Sequence, residues 1–145
     1  MQIQTILFPT DFSPASEAAL DYAMSLARDA NAKLLLLHVA EPLPVYGDVP
    51  YYGVPEPDKA ELERRLHAVP VDTRLRVERR LVAGYPAEQI LAQAAKDDVD
   101  MIVMGTHGRT GLMRLLMGSV AERVVRGATC PVLAVKTAVP AAAQA

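Results

Sequence analysis

Short apolar runs alternate with amphipathic stretches along this chain, and the first pair of elements is well marked. The run at 3–8 is rich in β-branched and aromatic residues and ends before Pro9, which predicts a strand. Ser13 and Pro14 follow. These residue types favour a helix N-terminus, because serine can cap the first turn and proline needs no N–H there. The sequence therefore predicts a strand followed by a helix that stops near Asn31.

The same alternation continues along the chain. Further strands are predicted at 33–39, 75–82, 101–104 and 132–135, and further helices at 58–68, 86–96 and 119–126. The second strand is almost wholly apolar, which is typical of a strand covered by helices on both faces. The third mixes apolar with charged residues and is expected nearer a sheet edge. Gly127 is predicted to take the left-handed conformation past the end of the last helix.

Two stretches break this pattern. Residues 41–57 contain five prolines, two glycines and three tyrosines, so they are predicted to form a long loop, to which the sequence assigns no role. Residues 138–145 are mostly small and are predicted to be a disordered tail. A single domain is therefore expected over 1–137.

Strand–helix alternation predicts parallel strand pairing through right-handed crossovers. The expected fold is α/β, a doubly wound five-stranded parallel sheet with helices on both faces. Ligands of such sheets bind outside the carboxyl ends of the strands, where the winding reverses. This points to the end of the first strand (Pro9, Thr10 and Asp11), to the end of the second strand (Val39), and to the loop that follows Met104.

Composition narrows the functional classes. The chain has 145 residues, of which 51% are hydrophobic and 22% charged, as in ordinary globular domains. The longest apolar run, at 34–37, is far too short to cross a bilayer, and no secretory signal is recognisable. One cysteine excludes an internal disulfide, and a net charge of −2 gives no general attraction to nucleic acid or anionic lipid. A cytoplasmic protein is expected.

The loop after the fourth strand carries the most informative chemistry. Glycines stand at 105, 108, 111 and 118, and Gly118 is followed by Ser119 at the start of a predicted helix. Glycines let the backbone approach a ligand closely and let successive N–H groups point at one anion. A helix N-terminus adds unpaired N–H groups and a positive dipole end. This arrangement suits a phosphate chain.

Alternatives remain open in this loop. Ser119 and Glu122 have the spacing of a capping box, which would satisfy the helix end without any ligand but leaves the other glycines unexplained. The two uses are compatible, because a hydroxyl can accept from the backbone while it donates to a phosphate. Arg109 is either a phosphate clamp or a solvated loop arginine. Neither a P-loop nor a GxGxxG fingerprint is present.

The spacing Gly105-x2-Gly108-x9-Gly118-Ser119 resembles the Gly-x2-Gly-x9-Gly-[Ser/Thr] motif of the ATP-binding members of the universal stress protein (UspA-like) family. Further similar stretches are found at 6–13, 37–39, 103–109 and 118–133, so that the resemblance extends from residue 1 to about 137 and is weakest over 41–80. It implies a Rossmann-like sheet of the adenine nucleotide alpha hydrolase-like type. It also implies ATP as the ligand and a regulatory role in the stress response.

The resemblance also implies roles for individual residues. Backbone amides of Gly108, Gly118, Ser119 and Val120 would hold phosphates, and Asp11, Val39 and Gly105 would contact the nucleoside. The other candidate contacts flank these positions, namely Pro9, Thr10, Met104, His107 and Arg109.

Some of these side chains have ordinary structural interpretations. Asp11 also fits an Asx turn before Ser13, and the two uses can coexist. His107 is expected to order the loop or lie beside the ligand and not to act as a general base. His38 is interpreted as a hydrogen-bonded sheet histidine, and the arginine pairs at 64–65 and 79–80 as solvated surface.

The favoured hypothesis is a nucleotide-binding regulatory protein. No catalytic residue or metal site built from protein groups alone is recognisable, and magnesium is expected only with the nucleotide's phosphates. Rapid hydrolysis is therefore not predicted, while slow ATP turnover stays open. The alternatives are a dimeric interaction module of the same family that binds no nucleotide, and a true hydrolase or nucleotidyl transferase. The last strand is expected at a sheet edge, and the resemblance implies a homodimer through 132–135.

Overall fold

A computed structural model describes residues 2–42, 58–106 and 117–136. The elements run in the order β1 (Thr5–Pro9), α1 (Pro14–Ala30), β2 (Lys33–Ala40), α2 (Lys59–Ala68), β3 (Val77–Ala83), α3 (Pro86–Lys96), β4 (Met101–Gly105), α4 (Ser119–Gly127) and β5 (Val132–Val135). Every strand pair is parallel, and the sheet order is β3-β2-β1-β4-β5. The predicted doubly wound α/β fold is confirmed, including the edge positions of β3 and β5. Most of the predicted long loop (43–57) and the tail lie outside the described residues.

The first helix begins and ends as its sequence predicts. The Ser13 hydroxyl accepts a hydrogen bond from the Ser16 N–H at 3.2 Å, and Pro14 occupies the first helical position. Asn31 ends the helix in the left-handed conformation with φ 54°, and its N–H donates to the Arg28 carbonyl. Asparagine tolerates this backbone conformation better than most residues, which explains why the helix stops here.

The core has two halves, one on each face of the sheet. Ile6 and Phe8 point to the face covered by α1 and α2, whereas Leu7 points to the face covered by α3 and α4. Residues 34–37 of β2 alternate in the same way and are fully buried on both faces. A strand that is apolar on both faces must lie between helical layers, so β1 and β2 occupy the interior of the sheet.

The winding of the sheet reverses between β1 and β4. The chain first adds β2 and β3 on one side of β1, with α1 and α2 on one face of the sheet. It then adds β4 and β5 on the other side of β1, with α3 and α4 on the opposite face. The connections that leave β1 and β4 therefore diverge to opposite faces, which opens a crevice between the two strand ends.

The prediction for Gly127 is wrong. This glycine is the last residue of α4, the C-cap is Ala128, and the only left-handed glycine among the described residues is Gly84, with φ 140°. A Cβ atom on Gly127 would lie 2.7 Å from Cδ1 of Leu91. Glycine is therefore suited to this position because α4 ends close against a side chain of α3.

The arginines at 79 and 80 are also not simple solvated surface. Arg79 donates to the Leu66 and Val69 carbonyls and so ties β3 to the end of α2. The Arg80 side chain is 20% exposed, contacts Glu78, and donates to Asp97 Oδ2 at 2.8 Å. The Arg80 guanidinium holds the pKa of Asp97 below its usual value. These bonds fix the edge strand to the helices on both faces.

Candidate functional site

A cavity of about 730 Å³ opens at the carboxyl ends of β1, β2 and β4, where the winding reverses. Nine of the twelve predicted site residues line it, namely Pro9, Thr10, Asp11, Val39, Met104, Gly105, Gly118, Ser119 and Val120. The other three, His107, Gly108 and Arg109, lie outside the described residues. Residues from three strand ends and from the start of α4 are thus brought together, as the topology of the sheet predicts.

A compact hydrogen-bonded turn forms the β1 side of the cavity. The buried Thr10 hydroxyl accepts from the Phe12 N–H at 3.0 Å and bonds to the Ser16 hydroxyl at 3.1 Å. Asp11 Oδ1 accepts from the Ser13 N–H at 2.9 Å, which is the predicted Asx turn. Phe12 takes the left-handed backbone conformation with φ 65°. The turn therefore fixes the position of the Asp11 carboxylate, which lines the cavity.

His38 joins the ends of β1 and β2. Its Nδ1 lies 2.7 Å from the Thr10 carbonyl oxygen. A carbonyl can only accept, so Nδ1 carries the proton in this bond. The residue is 7% exposed. The interpretation of His38 as a hydrogen-bonded sheet histidine is confirmed.

The main chain of Val39 faces the space beyond the end of β1. Pairing between β1 and β2 stops at Pro9 and Leu37, with the Thr10 N–H donating to the Leu37 carbonyl, whereas pairing with β3 continues to Ala40. Alternate residues of a strand direct their main-chain polar groups to the same side. The polar groups of Val39 therefore point to the side where β1 has already ended, and Val39 lines the cavity there.

The start of α4 forms the opposite side of the cavity. Gly118 is the N-cap residue and no side chain of the described residues caps it, so the predicted capping box of Ser119 and Glu122 is wrong. The Glu122 N–H instead makes an ordinary helical bond to the Gly118 carbonyl at 3.0 Å. Because the first N–H groups of a helix have no carbonyl partner inside it, the positive end of α4 is presented to the cavity at Ser119 and Val120.

The Gly118 amide itself is engaged. It donates to the Thr106 carbonyl at 2.7 Å, and the Thr106 N–H donates to the Val135 carbonyl at 3.0 Å. The chain that leaves β4 at Gly105 is thus tied directly to the chain that enters α4. The amide of Gly118 is predicted to hold phosphate, but this bond occupies it. The amides of Ser119 and Val120, which are also predicted to do so, remain at the start of the helix.

Sequence reasoning missed two charged residues of the cavity, Glu41 and Arg65. Arg65 of α2 lines it, and its guanidinium carbon lies 4.6 Å from the centroid of the Phe12 ring. Leu62 and Leu66 of the same helix are buried, and residues three and four apart share one helix face. That spacing is the signal that places Arg65 towards the sheet. Arg64 and Arg65 are both exposed, as predicted, and Arg64 pairs with Glu61 at 2.7 Å.

The site contains groups for binding. Its charged lining residues among the described part of the chain are Asp11, Glu41 and Arg65.

No three His, Cys, Asp or Glu side chains within residues 2–42, 58–106 and 117–136 come together as metal ligands. None of the helices that the structure describes is long and apolar enough to cross a membrane. The arrangement offers a carboxylate and strand main chain at one end and a helix N-terminus at the other.

Comparisons with known proteins agree with this architecture. A sequence model of the universal stress protein family matches residues 2–136. Universal stress protein MJ0531 of Methanocaldococcus jannaschii is 36% identical over 138 residues, which cover 90% of this chain and 81% of that protein. The solved structure of MJ0577, a universal stress protein from the same organism, has a TM-score of 0.72 and 27% identity, covering 96% of this chain and 99% of that one. A universal stress protein in complex with cAMP has a TM-score of 0.70 and 27% identity, covering 95% and 100%.

Proposed function

This chain belongs to the universal stress protein family, and we propose that it binds an adenine nucleotide, ATP above all, in the cavity at the carboxyl ends of β1, β2 and β4. The observation that carries the proposal is the pairing, within one cavity, of the Asp11 carboxylate with the uncapped start of α4. A nucleotide presents hydrogen-bond donors at its nucleoside end and anionic oxygens at its phosphate end. The two ends of the cavity match these two chemistries.

The nucleoside end is formed by the tips of β1 and β2. The Asp11 carboxylate accepts from an amine or hydroxyl of the nucleoside, the Val39 main chain meets the edge of the base, and Gly105 allows close approach. Asp11 can serve the Asx turn and the ligand together, because a carboxylate has about four acceptor sites and the turn uses one. Pro9, Thr10 and Met104 complete the wall.

The phosphate end is formed by α4. The amides of Ser119 and Val120, the Ser119 hydroxyl and the dipole of the helix favour a bound anion. Magnesium accompanies the phosphates, since it is commonly bound through substrate oxygens together with few protein groups. It also offsets the negative charge of Asp11 and Glu41. Gly108 contributes from the loop, as the family motif implies, and His107 and Arg109 are the candidate contacts on either side of it.

The proposal describes a regulatory binding protein of the stress response and not a fast enzyme. Any ATP hydrolysis is proposed to be slow, because the residues assigned here bind the nucleotide and none is given the role of a general base. We further propose a cytoplasmic homodimer that forms through β5. That strand ends the sheet, and Leu133 on β5 and Val125 on α4 are 38% and 43% exposed.

The decisive experiment identifies the bound molecule. Purified protein is denatured, the released small molecules are assayed, and the nucleotide-free protein is titrated with ATP and magnesium. Adenine nucleotide in the first assay or saturable binding in the second is expected. The absence of both overturns the proposal and leaves the dimeric module without nucleotide as the function. Steady-state turnover above about one per second would instead indicate a true enzyme.

A further inference from the structure

Arg65 lies at the edge of the cavity that is formed by α2. Leu66, the next residue, is buried against the sheet, and Leu62, one turn earlier, lines the cavity together with Arg65. Arg65 is exposed, and its side chain lies beside the tips of the strands at the mouth of the cavity.

An aromatic ring holds the guanidinium in place. The Arg65 guanidinium carbon is 4.6 Å from the centroid of the Phe12 ring, and the Phe12 ring is 4.3 Å from that of His38. The main chain of Phe12 is itself fixed, because its N–H donates to the Thr10 hydroxyl. A guanidinium above an aromatic face keeps its N–H groups directed outward in its own plane. The cation is thus positioned beside the Asp11 turn.

The donors of Arg65 are not used by the described part of the protein. No carboxylate of residues 2–42, 58–106 or 117–136 lies within 4.0 Å of its guanidinium nitrogens, and none of these residues accepts a hydrogen bond from it. Arg64 differs, because it donates to Glu61 through two nitrogens. Arg65 therefore presents five N–H donors at the cavity, next to a residue that only accepts.

We propose that Arg65 is a ligand-binding residue of the nucleoside end, where it donates hydrogen bonds to an uncharged acceptor of the ligand, a ring nitrogen or a sugar oxygen. This inference rests on the proposed function and adds to it. The Asp11 carboxylate and the Arg65 guanidinium together offer an acceptor and a donor, which is the pattern needed to fix the orientation of a nucleoside.

The topology assigns Arg65 to the nucleoside and not to the phosphates. Phe12, which contacts the Arg65 guanidinium, follows β1 on the face covered by α1 and α2, and His38 of β2 contacts Phe12. The start of α4 follows β4 and packs on the opposite face. The Arg65 guanidinium and the positive N-terminus of α4 thus lie at different ends of the cavity.

The test compares Arg65→Gln with the matched variant Arg64→Gln, which removes the same charge one residue away. Dissociation constants are measured for ATP with magnesium and for adenosine, which has no phosphate. Losing a charge-assisted hydrogen bond is expected to weaken binding by about 10-fold or more. Arg65→Gln should weaken both ligands by the same factor, whereas Arg64→Gln should leave both unchanged. Thermal unfolding of both variants checks that the fold is retained.

The other outcomes are distinguishable. If Arg65→Gln binds both ligands with wild-type affinity, this inference is wrong while the proposed function stands. The same holds if the variant binds ATP more weakly but adenosine as before, because Arg65 would then act on the phosphates through its charge. An equal loss in Arg64→Gln also overturns it, since the effect would be that of general charge. If the wild-type protein binds neither ligand, the proposed function itself fails, and this inference falls with it.

Discussion

A negative charge placed at the start of α4 separates ligand binding from folding. Ser119 is exposed at the first position of the helix and lines the cavity. An aspartate there would favour the fold, because acidic groups near a helix N-terminus stabilise it by about 0.3 to 1 kcal/mol. The same carboxylate would repel a bound phosphate. Binding and stability should therefore change in opposite directions in Ser119→Asp.

The expected loss of affinity follows from the distance. Two like unit charges about 4 Å apart repel by about 1 kcal/mol in water and about 4 kcal/mol near a protein surface. These energies correspond to a dissociation constant that is about 5-fold to nearly 1000-fold larger. Ser119→Asn has the same shape without the charge and is the matched control. Both variants are titrated calorimetrically with ATP and magnesium at low and high salt. Screening should reduce the penalty of the aspartate at high salt.

The result that would refute this reasoning is specific. If Ser119→Asp binds ATP as tightly as Ser119→Asn at low salt while both remain folded, no phosphate lies at the start of α4. The proposal for the phosphate end would then be wrong even if the protein binds a nucleoside.

Three further predictions concern the same fold. Asp11→Asn keeps an acceptor for the Asx turn and should fold normally but bind ATP about 10-fold more weakly, whereas Asp11→Ala should also lose about 1 kcal/mol of stability by urea unfolding. Because the Arg80 guanidinium lowers the pKa of folded Asp97, the carboxylate stabilises the fold at neutral pH and loses this effect as pH falls through that lowered pKa. Asp97→Asn should therefore cost about 1 to 2 kcal/mol at pH 7 and progressively less as the pH is lowered, and a cost that does not fall in acid would contradict the ion pair. Leu133→Glu should convert a dimer to a monomer in sedimentation experiments, and an unchanged mass would exclude an interface through β5.

Most of the fold could be predicted because each local signal agrees with the global arrangement. Ser13, Pro14 and Asn31 mark the limits of α1, and the apolar run at 34–37 identifies a strand covered on both faces. Parallel topology then places the ends of β1, β2 and β4 together. The cavity-lining positions at Asp11, Val39 and Ser119 follow from this without any knowledge of side-chain contacts.

Contact between distant segments explains the errors at Gly127 and Arg80. Gly127 has the right residue type for a helix C-terminus, but its role depends on Leu91 of another helix. Ser119 and Glu122 have capping-box spacing, but the helix begins one residue too early for Ser119 to be the N-cap. Arg80 stands in a charged pair in the sequence, and only the packing of β3 beside the end of α3 shows that it bonds to Asp97.

The bond between the Gly118 amide and the Thr106 carbonyl joins the end of β4 directly to the start of α4. Thr106 also donates its own N–H to the Val135 carbonyl of the edge strand. Both bonds are made by main-chain groups, so neither depends on the identity of the Thr106 side chain. A side-chain substitution at Thr106 would therefore leave the spacing between the sheet and the helix start unchanged.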